Sequence, residues 1–295
     1  MSRLFALFLA MLLPLALSVG CVGGRDNDDT SDDDDDTGGD DDDDTAGDDD
    51  DSTPPPQGSI SGRVVDLDSA PLASIGVSCC SDESCLTDTT AADGTFSITG
   101  LRANTYLCDN LGYPGDDVVA AALDWSKFVE FVPVSEDEEV ILPQDLILSQ
   151  VAERQQVSSG ANSLSYAGGI TISFDASSLE IPFLVADVDP LTIGGLEIAS
   201  PAWPLGGLDD HQVLRAWAFA PFEIGLESGA FSVSITLAEA LAAGTDLSLM
   251  WADYSLGTIA EQFEISSATL SSDGLSVTGE VDKVSLLMLV EPAPQ

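Results

Sequence analysis

From residue 58 onward, apolar and polar residues alternate in short runs, and this pattern restricts the fold more than any other feature. Ile170, Ile172 and Phe174 form one such run, and Phe231, Val233 and Ile235 begin another. Successive side chains of a strand point to opposite faces, so alternation of this kind predicts half-buried strands. Helical spacing is nearly absent, with residues 237–243 the one segment expected to form a helical turn or two. The predicted fold class is therefore all-β.

Turn signals between these runs agree with this interpretation. Asp93-Gly94 and Asp273-Gly274 each precede an alternating run, and an Asp-Gly pair favours tight hairpins because it accepts positive φ. In the first half of the chain we also predict strands over residues 118–123, 127–134 and 139–148.

The N-terminal residues 1–20 have the properties of a secretion signal. Arg3 supplies a positive end, and the uncharged stretch that follows contains Pro14 and is too short for a stable transmembrane helix. Residues 18–21 (SVGC) resemble a bacterial lipobox. The resemblance implies removal of residues 1–20 and diacylation of Cys21, with Val22 implying the outer membrane. The alternative is an ordinary cleaved signal that leaves Cys21 free.

Residues 21–57 carry three solid runs of aspartate and end in Pro54-Pro55-Pro56. This segment has no apolar periodicity and too little apolar surface to bury, so we predict a lipidated cysteine followed by a disordered tether that charge repulsion extends. A folded calcium loop alternates its ligands around a glycine. The runs lack that pattern, so we expect loose counterions rather than a calcium site.

The charge balance excludes some partners. The formal net charge is −44, and 17 of the 52 acidic residues lie between Asp26 and Asp51, which leaves 35 acids against six basic residues from residue 58 onward. Binding to nucleic acids and electrostatic binding to anionic lipids both need clustered lysine and arginine. Neither is expected here.

Several segments between residues 58 and 149 occur in the order typical of one known domain. They are residues 60–66 (ISGRVVD), 70–77 (APLASIGV), 87–88 (TD) and 93–96 (DGTF), with Leu101 and Tyr106. Through them residues 58–149 resemble the carboxypeptidase regulatory-like domain, a prealbumin-like β-sandwich. The resemblance implies a stabilising or spacing module without catalytic residues of its own, and related sandwiches bind carbohydrate.

The second predicted domain covers residues 150–291, and residues 292–295 form a tail. Its segments 168–174, 231–237 and 244–253 resemble, in their order, a ZU5-like β-sandwich. The resemblance implies an interaction or scaffold module.

Four cysteines lie in the first predicted domain, and an even number in an exported chain predicts two disulfides. Strand alternation places Cys79 on the core face with Val77, and Cys108 on the core face with Tyr106. We therefore predict Cys79–Cys108 at the core and Cys80–Cys85 on the outer face. A four-cysteine metal site is the alternative, but paired C-x-x-C spacing is missing.

Catalytic motifs are scarce in the sequence. His211 is the only histidine, and it follows two aspartates in a glycine-rich segment, where we expect a solvated loop residue. Neither an H-E-x-x-H motif nor a G-x-S-x-G nucleophile elbow is present. Trp203 and Trp217 could stack on sugars, although core filling is the commoner use. Weak calcium candidates are Asp187, Asp189, Asp209 and Asp210.

We therefore expect a non-enzymatic cell-envelope lipoprotein that displays two β-sandwich domains on an acidic stalk and needs no cofactor. Its partners would be the membrane, through the lipid, and envelope proteins or glycans. The alternative is a carbohydrate- or calcium-dependent binding module. A third hypothesis is a glycosidase that uses paired carboxylates.

Overall fold

The computed structural model describes residues 57–208, 210–252 and 263–294. The predictions for the signal sequence, Cys21, the aspartate tether and Asp209 lie outside these residues. Within them strands are the main regular structure and the single α-helix has seven residues, so the all-β fold class is confirmed.

The first sandwich, residues 58–149, packs two four-stranded sheets face to face. One sheet has the order β4-β1-β7 with β8 also paired to β1, and the other has the order β3-β2-β5-β6. Ile60 and Phe96 of the first sheet meet Val77 and Tyr106 of the second in a common core. The strands are β1 (Gly58–Val65), β2 (Gly76–Cys80), β3 (Cys85–Thr89), β4 (Thr95–Leu101), β5 (Asn104–Asn110), β6 (Val129–Val134), β7 (Glu139–Ile141) and β8 (Leu146–Ile147).

Both disulfides join the cysteines as predicted from the strand faces. Cys79 and Cys108 are register partners on β2 and β5, with Cα atoms 4.1 Å apart and both side chains fully buried. Cys80 and Cys85 are register partners on β2 and β3, with Cα atoms 4.0 Å apart.

Two local predictions in this sandwich were wrong. Residues 118–123 form a helix, α1 (Val118–Asp124), because the Asp117 side chain caps the amide of Ala120 at 3.0 Å and the alanine-rich segment favours a helix. The Asp93-Gly94 turn does not close a hairpin, since the strands on either side of it, β3 and β4, belong to different sheets.

The second sandwich contains the strands from β9 onward and is built mainly from one ten-stranded sheet. Its order is β10-β11-β16-β19-β18-β17-β21-β14-β13-β9, and β12-β15-β20 form a separate small sheet. The strands are β9 (Arg154–Gln156), β10 (Ala161–Tyr166), β11 (Ile170–Asp175), β12 (Leu179–Glu180), β13 (Thr192–Ile198), β14 (His211–Ala220), β15 (Ile224–Leu226), β16 (Phe231–Thr236), β17 (Leu247–Trp251), β18 (Glu264–Leu270), β19 (Ser276–Val281), β20 (Lys283–Val284) and β21 (Leu286–Pro292).

Strand β18 lets this sheet turn back on itself. It pairs with β17 on one side and with β19 on the other, so the two halves of the sheet face each other across one core. Trp217 from one half and Phe231 from the other lie in that core.

The predicted Asp273-Gly274 hairpin joins β18 to β19. Residues 237–243 form bends and a turn instead of the predicted helical turns. Short 3₁₀ turns occur at Ala167–Gly169, Ala176–Ser178, Phe183–Val185 and Ser200–Ala202.

Strands β14 and β21 are buried on both faces. Trp217 and Leu287 point into the core of the second sandwich, while their neighbours Ala218 and Leu286 point into a separate hydrophobic cluster. That cluster also contains Phe131 from the outer face of β6. The two sandwiches thus share a packed interface and belong to one compact unit. The domain boundary at residue 149 stays a prediction.

Candidate ligand-binding cleft

An open side of the first sandwich holds a cleft of about 320 Å³. It lies between the last strand of one sheet, β6, and the β7–β8 segment of the other, where the two sheets separate. A loop of the second sandwich, residues 203–208, covers part of it. The surface is almost wholly apolar, and its lining residues are Glu130, Phe131, Val132, Pro133, Val140, Leu142, Pro143, Gln144, Leu146, Leu205 and Gly206.

Glu130 is the only ionisable residue in this lining. It occupies a core-facing position of β6, two residues from Val132, and is 5% exposed. Its carboxylate accepts hydrogen bonds from the backbone amides of Leu205 at 3.0 Å and Gly206 at 2.6 Å. Burial raises the pKa of Glu130 to about 7, and the two amide hydrogen bonds oppose that rise.

The loop that carries these amides is positioned by three contacts. Trp203 donates its indole N–H to the Ile198 carbonyl at 3.0 Å, and Gln144 donates its amide to the Trp203 carbonyl at 2.8 Å. Gly206 lies against β6 so closely that a Cβ there would collide with the Phe131 carbonyl oxygen. Only glycine permits this approach, which brings the loop within reach of Glu130.

The lining of the cleft is partly open to solvent. Leu205 is 54% exposed, and Pro133 and Pro143 are also exposed. The loop that joins β6 to β7 contains the exposed acids Glu136, Asp137 and Glu138, and exposed Glu139 follows as the first residue of β7. Because β6 and β7 form two walls of the cleft, this acidic run adjoins one end of it.

A second buried carboxylate lies on the opposite face of the same sheet. Asp109 of β5 is 5% exposed and accepts hydrogen bonds from Lys127 at 2.8 Å and from the Ser78 hydroxyl. The Lys127 ammonium also lies 5.2 Å from the ring centre of Phe222, in the second sandwich. Desolvation raises the pKa of nearby Tyr113, and the charges of Asp109 and Glu223 add to that rise. The Asp109–Lys127 ion pair is largely buried and hydrogen-bonded within the protein, which suits a structural role.

The weak calcium candidates are exposed and do not form a cluster in the described residues. Asp187, Asp189 and Asp210 each lie on the surface. Across residues 57–208, 210–252 and 263–294, no group of three His, Cys, Asp or Glu side chains is arranged to hold a metal ion.

The aromatic and histidine predictions had mixed outcomes. Trp217 is fully buried, so it fills the core and cannot stack on a sugar. Trp203 is half-buried and packs against the cluster between the sandwiches. His211 is half-buried at the start of β14, with its Nδ1 3.3 Å from the Leu208 carbonyl oxygen, and the prediction of a solvated loop histidine was wrong.

A broader depression of about 470 Å³ lies on the outer face of the second sandwich. Cross-strand pairing aligns its hydroxyl side chains in rows, with Ser173 opposite Ser232 and Ser234 opposite Thr278. Its lining residues are Ser173, Ser232, Val233, Ser234, Ser266, Ser267, Thr269, Thr278, Gly279 and Glu280.

Glu130 was missed by sequence reasoning, although the sequence does contain a signal. In residues 128–134 (FVEFVPV), Glu130 stands at the same strand parity as Phe128, Val132 and Val134, which fill the core. A lone carboxylate at a core-facing position is unusual, because burying it costs free energy unless it finds donors. The donors come from residues 205 and 206, which sequence proximity does not indicate.

No known protein family matches this sequence, and no curated protein does. Among solved structures, the TIE protein of Bacillus anthracis aligns at 10% identity and a TM-score of 0.26, over 81% of this chain and 49% of its own. A DUF3823 family protein from Bacteroides ovatus aligns at 8% identity and a TM-score of 0.23, over 81% and 97%. The major pilin subunit of Bacillus cereus aligns at 10% identity and a TM-score of 0.21, over 81% and 59%. TM-scores this low carry no argument about function.

The described helices include none with the length and apolar character needed to cross a bilayer.

Proposed function

We propose that this protein is a non-enzymatic lipoprotein of the cell envelope, anchored through Cys21, which displays its sandwiches on the aspartate stalk and binds a partner in the cleft beside Glu130. The binding role is inferred from the cleft itself, because an apolar recess that contains a single well-positioned polar group is typical of ligand sites.

Export is supported by the cysteines and by the leader. Two disulfides within one small sandwich are typical of proteins that fold in an oxidising compartment. The leader, the lipobox-like residues before Cys21 and the acidic segment after it agree with such a route. The resemblances to carboxypeptidase regulatory-like and ZU5-like sandwiches belong to the same proposal.

A non-catalytic role is supported by the chemistry of the cleft. Glycoside hydrolysis uses two carboxyl groups on either side of the scissile bond, whereas the lining contains Glu130 alone. Both oxygens of Glu130 already accept backbone hydrogen bonds, which suits an anchor for the loop better than a mobile acid or base. The proposal includes no metal ion or other cofactor.

The lipoprotein part is tested by intact mass and fractionation of the chain expressed in a bacterial host. We expect the wild-type protein in the membrane fraction, with residues 1–20 removed and a mass increased by the acyl groups. Cys21→Ser is the control and should lose both the acylation and the membrane association. A mature wild-type protein with an unmodified cysteine in the soluble fraction would contradict the proposal.

The binding part is tested with the neutral dye Nile red, whose fluorescence rises in apolar sites. We expect Leu205→Ser to lower the dye signal, because Leu205 contributes exposed apolar surface to the cleft. Leu67→Ser is the matched control, since Leu67 is 48% exposed and does not line the cleft. Equal signals from the two variants would remove the cleft as the binding site.

A carbohydrate-binding role is the second candidate, and the hydroxyl-lined depression on the second sandwich favours it. Rows of hydroxyl groups with Glu280 could exchange hydrogen bonds with a polyhydroxylated ligand. A glycan array probed with wild type and Ser234→Val separates the two candidates. Glycan binding that Ser234→Val abolishes and Leu205→Ser leaves intact would favour the depression over the cleft.

A further inference from the structure

Two properties distinguish the cleft from a simple packing defect. Its lining includes exposed apolar residues, namely Leu205, Pro133 and Pro143, so the apolar surface continues from the interior to the outside. Its end adjoins the acidic run 136–139, which contains four exposed carboxylates in succession. A suitable ligand would therefore combine an apolar group with positive charge.

The charge of the residues after the tether also favours a cationic ligand. At least five of the six basic residues after the tether form ion pairs: Arg63, Arg102, Lys127, Arg154 and Arg215. The 35 acids of this part are therefore largely uncompensated. The resulting negative electrostatic potential attracts cationic partners and repels anionic ones.

We propose that the cleft binds an extended peptide segment of a basic partner protein, with an apolar side chain in the cleft and flanking lysine or arginine side chains against residues 136–139. A peptide fits better than a small apolar molecule, since only a longer ligand covers the exposed apolar lining and reaches the acidic run together. This inference depends on the proposed function, which makes the cleft a binding site.

The test uses full-length protein carrying Cys21→Ser and three nine-residue fluorescent peptides in anisotropy titrations. One peptide alternates lysine with leucine, the second lysine with serine and the third glutamate with leucine. We expect the lysine–leucine peptide to bind at least about tenfold more tightly than either other peptide, because each lacks one of the two contacts. Its affinity should also fall as salt is raised.

Two matched pairs of variants locate the contact. Leu205→Ser should weaken binding of the lysine–leucine peptide roughly tenfold, while Leu67→Ser leaves it within about twofold. The triple variant Glu136→Gln, Asp137→Asn and Glu139→Gln should weaken binding about fivefold. Its control, Glu239→Gln, Asp246→Asn and Glu264→Gln, removes three charges from exposed positions of the second sandwich and should have little effect.

A photo-crosslinking leucine analogue in the peptide gives an independent readout. Crosslinks should map to residues 130–146 and 203–206 in the wild-type protein. Crosslinks confined to the aspartate runs, equal binding of the lysine–serine peptide, or equal losses from test and control variants would overturn the inference.

The two proposals fail in different ways. If none of the peptides binds while Nile red still distinguishes Leu205→Ser from Leu67→Ser, the peptide inference is wrong and the cleft remains a binding site for another ligand. If the dye shows no difference either, the binding part of the proposed function fails as well.

Discussion

The two sandwiches reach a packed core by different means. In the described residues, the core of the first contains three aromatic side chains, Phe96, Tyr106 and Phe128, together with a disulfide. The core of the second contains six aromatic side chains and lies within one continuous sheet. A small core gains less free energy from burial, and cross-links compensate by restricting the unfolded chain.

This difference extends to the cleft. The two sheets of the first sandwich separate between β6 and β7, which leaves an open side. The main sheet of the second sandwich folds back through β18 and encloses its core. An open side exposes apolar surface that a closed sandwich would bury, so the region with the smaller core is also the one suited to binding.

The largest expected effect is in the aromatic core of the second sandwich. Phe231→Ala should lower the free energy of unfolding by about 3–5 kcal/mol, because it leaves a cavity beside Phe174, whose ring centre lies 5.3 Å away. Urea unfolding followed by circular dichroism measures this. Phe231→Leu is the control and should cost much less, and equal losses from both would argue against a closely packed core.

Removing the core disulfide tests the first sandwich. Replacing Cys79 and Cys108 with alanine should lower the free energy of unfolding by roughly 3.5 kcal/mol, because the bridge closes a loop of sequence separation 29. Urea titrations with and without reductant give the value. If the reductant leaves the wild-type midpoint unchanged, the cross-link does not compensate for the small core.

Glu130 makes the stability of the open side depend on pH. Its pKa is about 7 in the folded protein against an ordinary value of 4.5. Between these values the unfolded chain has lost the proton and the folded chain keeps it, so the free energy of unfolding falls as pH rises from 4.5 to 7 and then levels off. The total change is of the order of 3 kcal/mol.

Glu130→Gln isolates this contribution, because glutamine keeps an acceptor for the Leu205 and Gly206 amides but does not titrate. Unfolding measured between pH 4.5 and 8 should show the variant losing this part of the slope and exceeding the wild type in stability above pH 7. Parallel pH profiles for the two proteins would show that Glu130 stays ionised when folded.

The smallest expected effect belongs to the second disulfide. Cys80 and Cys85 have a sequence separation of 5, so replacing both with alanine should cost roughly 2 kcal/mol, less than the core pair. Comparing the two double variants in one urea series tests whether loop length sets the contribution. A larger loss from Cys80 and Cys85 would reverse that ranking.

Short-range patterns predicted much of the fold. The alternation of Ile170 with Ile172 and of Phe231 with Val233 placed these residues in the core, as strand geometry requires. The same parity argument paired the four cysteines. The strand predicted over residues 118–123 is a helix, because a cap at Asp117 and three alanines outweighed the apolar run.

The candidate site was not predictable in the same way. Glu130 could be marked as a carboxylate at a core-facing position, but its donors are 75 and 76 residues away in sequence. The sequence did not decide whether Trp217 stacks on a sugar or fills the core, because it does not show which face of a strand a second sheet will cover.

The sequence alone determined many of the strands, the faces that those strands bury and the cysteine pairs, because these depend on alternation between neighbouring residues. Tertiary structure decided how far the sheets separate, which outer faces meet and which backbone amides reach Glu130. Those outcomes depend on contacts between residues distant in the chain, and the free energy of such contacts appears only when whole layers pack together.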